Sequence, residues 1–408
     1  MPLAEPAAPR NRGWTVTFAA LSINLVLGVL YAWGVLAKAL VVDWHWSKAD
    51  AAWPFTVGTA AFSVMMIFAG RLQDKLGPRL VASLGGVVLG LGLVLSAWAA
   101  SPASMVLTFG VVGGIGIGLG YSATTPAAIK WFPAAKKGLV TGIVVSGVGL
   151  AAVYISPVAQ ILLGAVGVER TFLCLGLGAF VAVVLLAQLL RNPPAGFQVT
   201  AEAKSAAAVG HAPDHDWSAR LRTAEFWRLW AMFILAASAG LMIIAHVAII
   251  AKEQARWEWG FVPVLLLALF NSAGRLGSGV VSDRIGRSRT MALAFALQAG
   301  NMFAFAHYTS PALLVFGSAF TGLCYGTIFT LMPAATADRW GVRHLGVNYG
   351  FVFTAFGVAG VCGPLLGGKL RDLTGSYGTS YVISAIMLLA GTALALVARE
   401  HGYAANRA

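Results

Sequence analysis

The 408 residues carry 58% hydrophobic and only 11% charged side chains, far from the roughly one quarter charged that a water-facing surface of this length needs, so a set of soluble domains is excluded. The net charge of +13 is not gathered into a basic stripe with interleaved aromatics, which sets nucleic-acid binding aside and leaves membrane topology to account for it. Cys174, Cys324 and Cys362 lie scattered in apolar stretches and describe neither a disulfide scaffold nor a metal centre.

A bilayer core takes about 20 apolar residues per helix, and the charged clusters cut the chain into twelve segments near that length. The polar start leads into an apolar run too long for a signal-peptide core, so it is read as an uncleaved first span. The predicted spans are 14–40, 51–70, 79–100, 103–129, 138–166 and 170–190, then 226–250, 260–282, 290–308, 311–337, 345–370 and 379–398. Between the sixes, residues 192–222 contain NPPAG and HAPDHD, too polar and too rich in helix breakers to cross lipid. The expected fold is all-α and integral to the membrane: twelve transmembrane helices as two six-helix bundles, 1–191 and 223–408, joined by a cytoplasmic linker over 192–222. His211 and His215 fall four apart in that linker without further ligands and read as part of a solvated tether.

Twelve spans bring both termini to one face. That face holds 20 of the Lys and Arg residues and the opposite face 7, with Arg275 left inside the eighth span. Such an excess places the termini in the cytoplasm of a multi-pass inner-membrane protein.

The halves repeat each other. Gly70, Asp74, Lys75 and Gly77 close the second span, and Gly279, Asp283, Arg284 and Gly286 close the eighth at a constant offset of 209. Pro126 and Pro333, each followed by two alanines, and Pro157 and Pro364 match at 207. A parallel repeat of six helices follows. The paired G-x-x-x-D-[KR]-x-G loops in a 6 + linker + 6 layout resemble the major facilitator superfamily. Tyr31-Ala-Trp-Gly and Asn348-Tyr-Gly-x-x-x-Thr-Ala-x-Gly357 are similar to the oxalate/formate antiporters, and Asn271-x-x-x-Arg275 to the monocarboxylate transporters. The ensemble looks nearest to bacterial lactate carriers, which implies alternating access by a secondary transporter that is no enzyme and needs no cofactor or metal.

Arg275 carries the strongest chemical signal. A guanidinium in mid-membrane costs about 2.5–3.5 kcal/mol on insertion scales unless an anion, a cavity or snorkelling to the headgroups relieves it. Asn271, one turn earlier, sets an amide beside it, a pair suited to a carboxylate with a neighbouring hydroxyl or keto oxygen. The resemblance implies that Arg275 anchors the substrate carboxylate, with two departures. Asn271 replaces an aspartate of the mammalian carriers, and Phe356 stands where the oxalate exchanger has a lysine. One fixed cation then favours a monocarboxylate over oxalate.

Tyr31, Tyr121, Tyr154 and Tyr325, with Phe329 a turn beyond, are read both as packed or interfacial aromatics and, through the resemblance, as cavity lining. No Asp or Glu occupies the middle of a span, so the proton-coupling candidates are His246 near the outer end of the seventh span and Glu253 beyond it. Asp74 with Lys75 and Asp283 with Arg284 read as a cytoplasmic latch that gates. The run Gly113–Gly120 has neither the spacing nor the preceding strand of a nucleotide loop; Gly114 with Gly118 and Gly116 with Gly120 are packing pairs. No HExxH or GxSxG supports a membrane enzyme. The expected activity is proton-coupled symport of small monocarboxylates, L-lactate first and pyruvate second, by a monomer in the bilayer. Anion exchange of the oxalate/formate type is the alternative.

Overall fold

The computed structural model describes residues 11–194, 197 and 221–398, and among them every regular element is a helix. Ten helical runs are long and apolar enough to cross a membrane, and the run Lys137–Ala187 crosses twice because Gly167, at φ 79°, breaks it. In chain order the helices are α1 (Gly13–Asp43), α2 (Lys48–Leu76), α3 (Pro78–Ser96), α4 (Pro102–Ile129), α5 and α6 (the two halves of Lys137–Ala187), α7 (Ala224–Ala255), α8 (Phe261–Ile285), α9 (Arg287–Phe305), α10 (Pro311–Trp340), α11 (Leu345–Thr374) and α12 (Gly378–Val397). A 3-10 turn, Gly28–Ala32, interrupts α1, and a π segment, Val106–Gly113, follows the first turn of α4. The linker with His211 and His215 lies outside the described residues, apart from its ends.

α9 is less apolar than the other spans, with Arg287 and Arg289 in its first turn and Gln298 and Asn301 further in, and the last two are satisfied inside the bundle. Gln298 donates to the Thr321 hydroxyl at 3.0 Å, and Asn301 Nδ2 donates to the Gly317 carbonyl at 3.1 Å. Helical backbone bonds together with such internal partners let a polar segment cross lipid.

The repeat has a backbone cause. Gly77 and Gly286 adopt φ of 85° and 98°, each ending one helix and opening the next, a conformation that a Cβ penalises. Pro54 and Pro263 keep the same offset of 209, a match beyond the motif loops.

Six helices form each bundle, and the bundles meet along two seams, α2 on α11 and α5 on α8. Small residues bring the backbones together there. A Cβ on Gly70 would lie 2.1 Å from the Gly346 carbonyl oxygen, and one on Gly279 2.3 Å from that of Gly138. Further along, Gly350 faces Met66 and Gly142 faces the Arg275 backbone, then Gly357 meets Ser63 and Gly149 meets Ser272. The two ladders are related by the repeat, and both close the molecule at the face where α1 begins, here called the terminal face. Within the N-terminal bundle the packing pairs serve two neighbours: Gly114 and Gly118 abut α2, while Gly116 abuts Leu89 of α3 and Gly120 abuts Leu27 of α1.

Candidate functional site

α8 and α10 are zipped by glycines, since a Cβ on Gly326 would sit 2.1 Å from the Asn271 carbonyl oxygen and one on Gly274 2.0 Å from that of Leu323. Thr330 adds a hydroxyl bond of 2.8 Å to the Arg275 carbonyl. This contact sets Arg275 and Asn271 against Tyr325 and Phe329.

Arg275 is 1% exposed. Its Nε donates to Asn271 Oδ1 at 3.1 Å, its Nη1 to the Val145 carbonyl of α5 at 2.5 Å, and its Cζ lies 4.7 Å from the Phe329 ring centre. The guanidinium therefore bridges the two bundles and folds back toward Asn271, away from the terminal face, which excludes snorkelling to the headgroups on that side. No carboxylate among the described residues pairs with it, and neither Nη2 nor Asn271 Nδ2 has a hydrogen-bond partner there. A buried cation solvated by one carbonyl, one amide and one ring retains the means to take an anion.

Tyr325 stacks edge-on to Phe329 with ring centres 5.1 Å apart, and Phe356 packs on Phe329 at 5.4 Å. Phe356 thus belongs to an aromatic floor that sequence reading did not assemble: Phe62 of α2, Phe233 of α7 and Phe353 of α11, with Phe62 and Phe353 at 5.0 Å. Tyr121, Tyr325 and Tyr349 all lie within electrostatic reach of Arg275. Tyr31 and Tyr154 are more open, each 38% exposed. The Tyr154 hydroxyl donates to the Leu25 carbonyl at 2.9 Å, so it ties α5 to α1.

His246 and Glu253 do not meet. His246 donates from Nε2 to the Pro364 carbonyl at 3.0 Å, leaving Nδ1 to accept from the Tyr377 hydroxyl at 3.3 Å. Glu253 is held by Arg371, whose Nε lies 3.2 Å from Oε2 and whose Nη2 bonds Oε1. Arg371 also sits 6.0 Å over the Tyr377 ring, so Tyr377 stands between the two candidates at the distal face. Burial pushes the Tyr377 phenol above its ordinary value, and the Glu253 charge adds to this.

At the terminal face both aspartates cap a helix of the opposite bundle. Asp74 accepts from the backbone N–H of Gly346 and Val347 at 3.3 and 3.0 Å, and Asp283 from those of Gly138 and Leu139 at 3.0 and 2.9 Å. A carboxylate on two helix N-terminal amides is favoured by hydrogen bonding and by the helix dipole. The basic partners differ from the adjacent residues singled out in sequence. Lys75 and Arg284 are exposed, whereas Arg287 reaches Asp283 at 2.6 Å and Asp338 at 3.0 Å, and Lys137 reaches Asp338 at 3.4 Å. In the other half, Lys130 lies near Asp74; burial pushes its ammonium below the ordinary value and the Asp74 charge pulls it partly back.

Two repeated six-helix bundles, closed together at one face, with one buried cation on their seam among the described residues, have the layout of a membrane carrier. The chain belongs to the Major Facilitator Superfamily, whose family model matches residues 13–307 and 268–408. It is similar to the oxalate:formate antiporter of Oxalobacter formigenes, at 28% identity over 94% of this chain and 91% of that one. Monocarboxylate transporter 13 of Rattus norvegicus is 26% identical over 93% of this chain and 87% of its own. The solved structure of the human organic anion transporter MFSD10 superposes with a TM-score of 0.70 at 15% identity, covering 95% of this chain and 99% of that one. The chain is therefore a multi-pass membrane transporter beside the oxalate/formate and monocarboxylate carriers, and not an enzyme.

Proposed function

We propose that the chain carries small monocarboxylates, L-lactate first and pyruvate second, in symport with a proton across the inner membrane, with the terminal face and both termini in the cytoplasm. Arg275 is the observation that carries this reading. A single buried guanidinium without a resident carboxylate neutralises one carboxylate, and the free Nη2 and Asn271 Nδ2 offer donors to it and to an adjacent hydroxyl or keto oxygen. Tyr325, Phe329, Tyr31 and Tyr154 supply the walls. Phe356 and its aromatic neighbours give a second carboxylate no cation, which disfavours oxalate.

Binding of a monoanion cancels the guanidinium and lowers the electrostatic cost of occluding the site, after which the bundles rock about it. Asp74 and Asp283 hold the cytoplasmic face shut while the outer face loads. The bundles act as units over 1–191 and 223–408, with 192–222 as tether, and one copy of the chain suffices. The proton is taken at the distal face, where His246 bonds Tyr377, Glu253 bonds Arg371, and Arg371 lies over the Tyr377 ring. Exchange of one monoanion for another is the second reading, favoured by the likeness to the oxalate:formate antiporter.

Arg275→Gln tests the central claim. In proteoliposomes the variant loses labelled L-lactate uptake by about a hundredfold or more, as expected when a buried charge pair loses one member, while purified yield and thermal unfolding stay close to wild type. Wild-type uptake by the variant removes Arg275 from the mechanism. Lactate-driven alkalinisation outside the liposomes, without a counter-substrate, separates symport from exchange.

A further inference from the structure

The two seams are alike in backbone and unlike in polar content. On the α5/α8 seam and its α10 flank, Arg275 Nη2, Asn271 Nδ2 and Ser318 Oγ apart, the polar groups are satisfied: Thr141 donates to the Lys137 carbonyl, Ser272 to Ala268, Ser282 to Gly279 and Thr330 to Arg275. On the α2/α11 seam and its α4 flank they are not. Ser63 Oγ, both polar atoms of Gln73, the Tyr121 and Tyr349 hydroxyls, Thr125 Oγ1 and Asn348 Nδ2 are all buried without a hydrogen-bond partner. Each such group costs on the order of 1–3 kcal/mol, so a row of them along one seam calls for occupants in another conformation.

Tyr121 and Tyr349 stand within that row. They come from opposite bundles, their hydroxyls neighbour each other without meeting hydrogen-bond geometry, and both feel the Arg275 charge. Tyr349 lies one turn from the start of α11 and Arg275 ten residues before the end of α8, so the pair sits between the cation and the terminal face. The repeat places Ile328 and Thr141 at the matching positions of the other seam, which therefore lacks the phenol pair.

We propose that Tyr121 and Tyr349 form a second, transient subsite for the substrate carboxylate, occupied on the cytoplasmic side of Arg275 when the terminal face opens. Two phenolic donors on walls that separate as the seam opens can each bond one carboxylate oxygen, and the hydroxyl and amide groups of Ser63, Gln73, Thr125 and Asn348 take water in the same movement. Release then follows the α2/α4/α11 side. This inference rests on the monocarboxylate reading of Arg275.

Its test is Tyr349→Phe, which removes only the unpaired oxygen, assayed with labelled L-lactate in right-side-out and inside-out vesicles. Half-saturation measured from the terminal face rises about tenfold, the loss of one bond to a charged group, while half-saturation from the distal face is unchanged and thermal unfolding is unchanged or raised. Equal shifts from both faces, no shift from either, or loss of folded protein each overturn the subsite. Arg275→Gln in the same vesicles abolishes flux from both faces; if it transports normally, the parent reading falls while the sided effect of Tyr349→Phe is still read. Absence of lactate flux in the wild-type protein overturns both.

Discussion

Replacing Asp283 by asparagine is expected to loosen the terminal-face seam while leaving the fold of each bundle intact. The carboxylate accepts from two amides at the start of α5, at 3.0 and 2.9 Å, and pairs with Arg287 at 2.6 Å. Asparagine keeps one acceptor oxygen, so one charge-assisted bond and the charge at the helix N-terminus are lost; Arg287 retains Asp338 at 3.0 Å, which limits the damage within the C-terminal bundle. A bond to a charged group contributes about 1.5–3 kcal/mol and the dipole term about 0.3–1 kcal/mol, so the closed seam loses roughly 2 kcal/mol, a shift of about thirtyfold in its equilibrium. Spin labels at Leu76 and Arg343, exposed positions on either side of the α2/α11 seam, report the change as a new population at longer distance by double electron–electron resonance. Distance distributions that coincide in variant and wild type would refute the latch role, because a carboxylate that caps across the bundles cannot be neutralised without effect on their separation.

Asn271→Asp sets a carboxylate 3.1 Å from Arg275 Nε in the empty carrier. Lactate affinity then falls about tenfold at neutral pH and recovers on acidification as the new carboxyl protonates and frees the guanidinium; half-saturation measured across pH checks the sign. Gly326→Ala drives a Cβ to 2.1 Å from the Asn271 carbonyl and separates α8 from α10, lowering the thermal midpoint and lactate binding together, whereas Gly277→Ala, with nothing within 4 Å, holds or raises the midpoint by the helix propensity gain of about 1 kcal/mol.

Much of the architecture was legible because lipid imposes it. Span length, breakers and charged ends located helices to within a few residues, and the loop motif with its two glycines exposed the repeat, since a positive φ at Gly77 and Gly286 admits few other residues. Arg275 was legible because a charge in a span has few bland explanations. What remained hidden was rotation. A helix that is apolar all round gives no amphipathic signal, so nothing in the sequence told that Phe62, Phe233 and Phe353 converge beneath Phe329, or that Tyr349 faces Tyr121. The true partner of Asp283 lay one turn on, at Arg287, and Asp338 joined it from 51 residues away, a contact that no local spacing encodes. His246 paired with a proline carbonyl and a tyrosine far along the chain rather than with Glu253 on its own helix.

The glycine zipper between α8 and α10 makes a rigid plate on which cation, amide and aromatic ring travel together. Under the proposed function, sign discrimination is then invariant through the cycle, while the walls that α1 and α5 would contribute, with the half-open Tyr31 and Tyr154, are free to vary. Relatives built on this plan can drift in the size and shape of their cargo by substitutions in the N-terminal half alone, without renegotiating its charge.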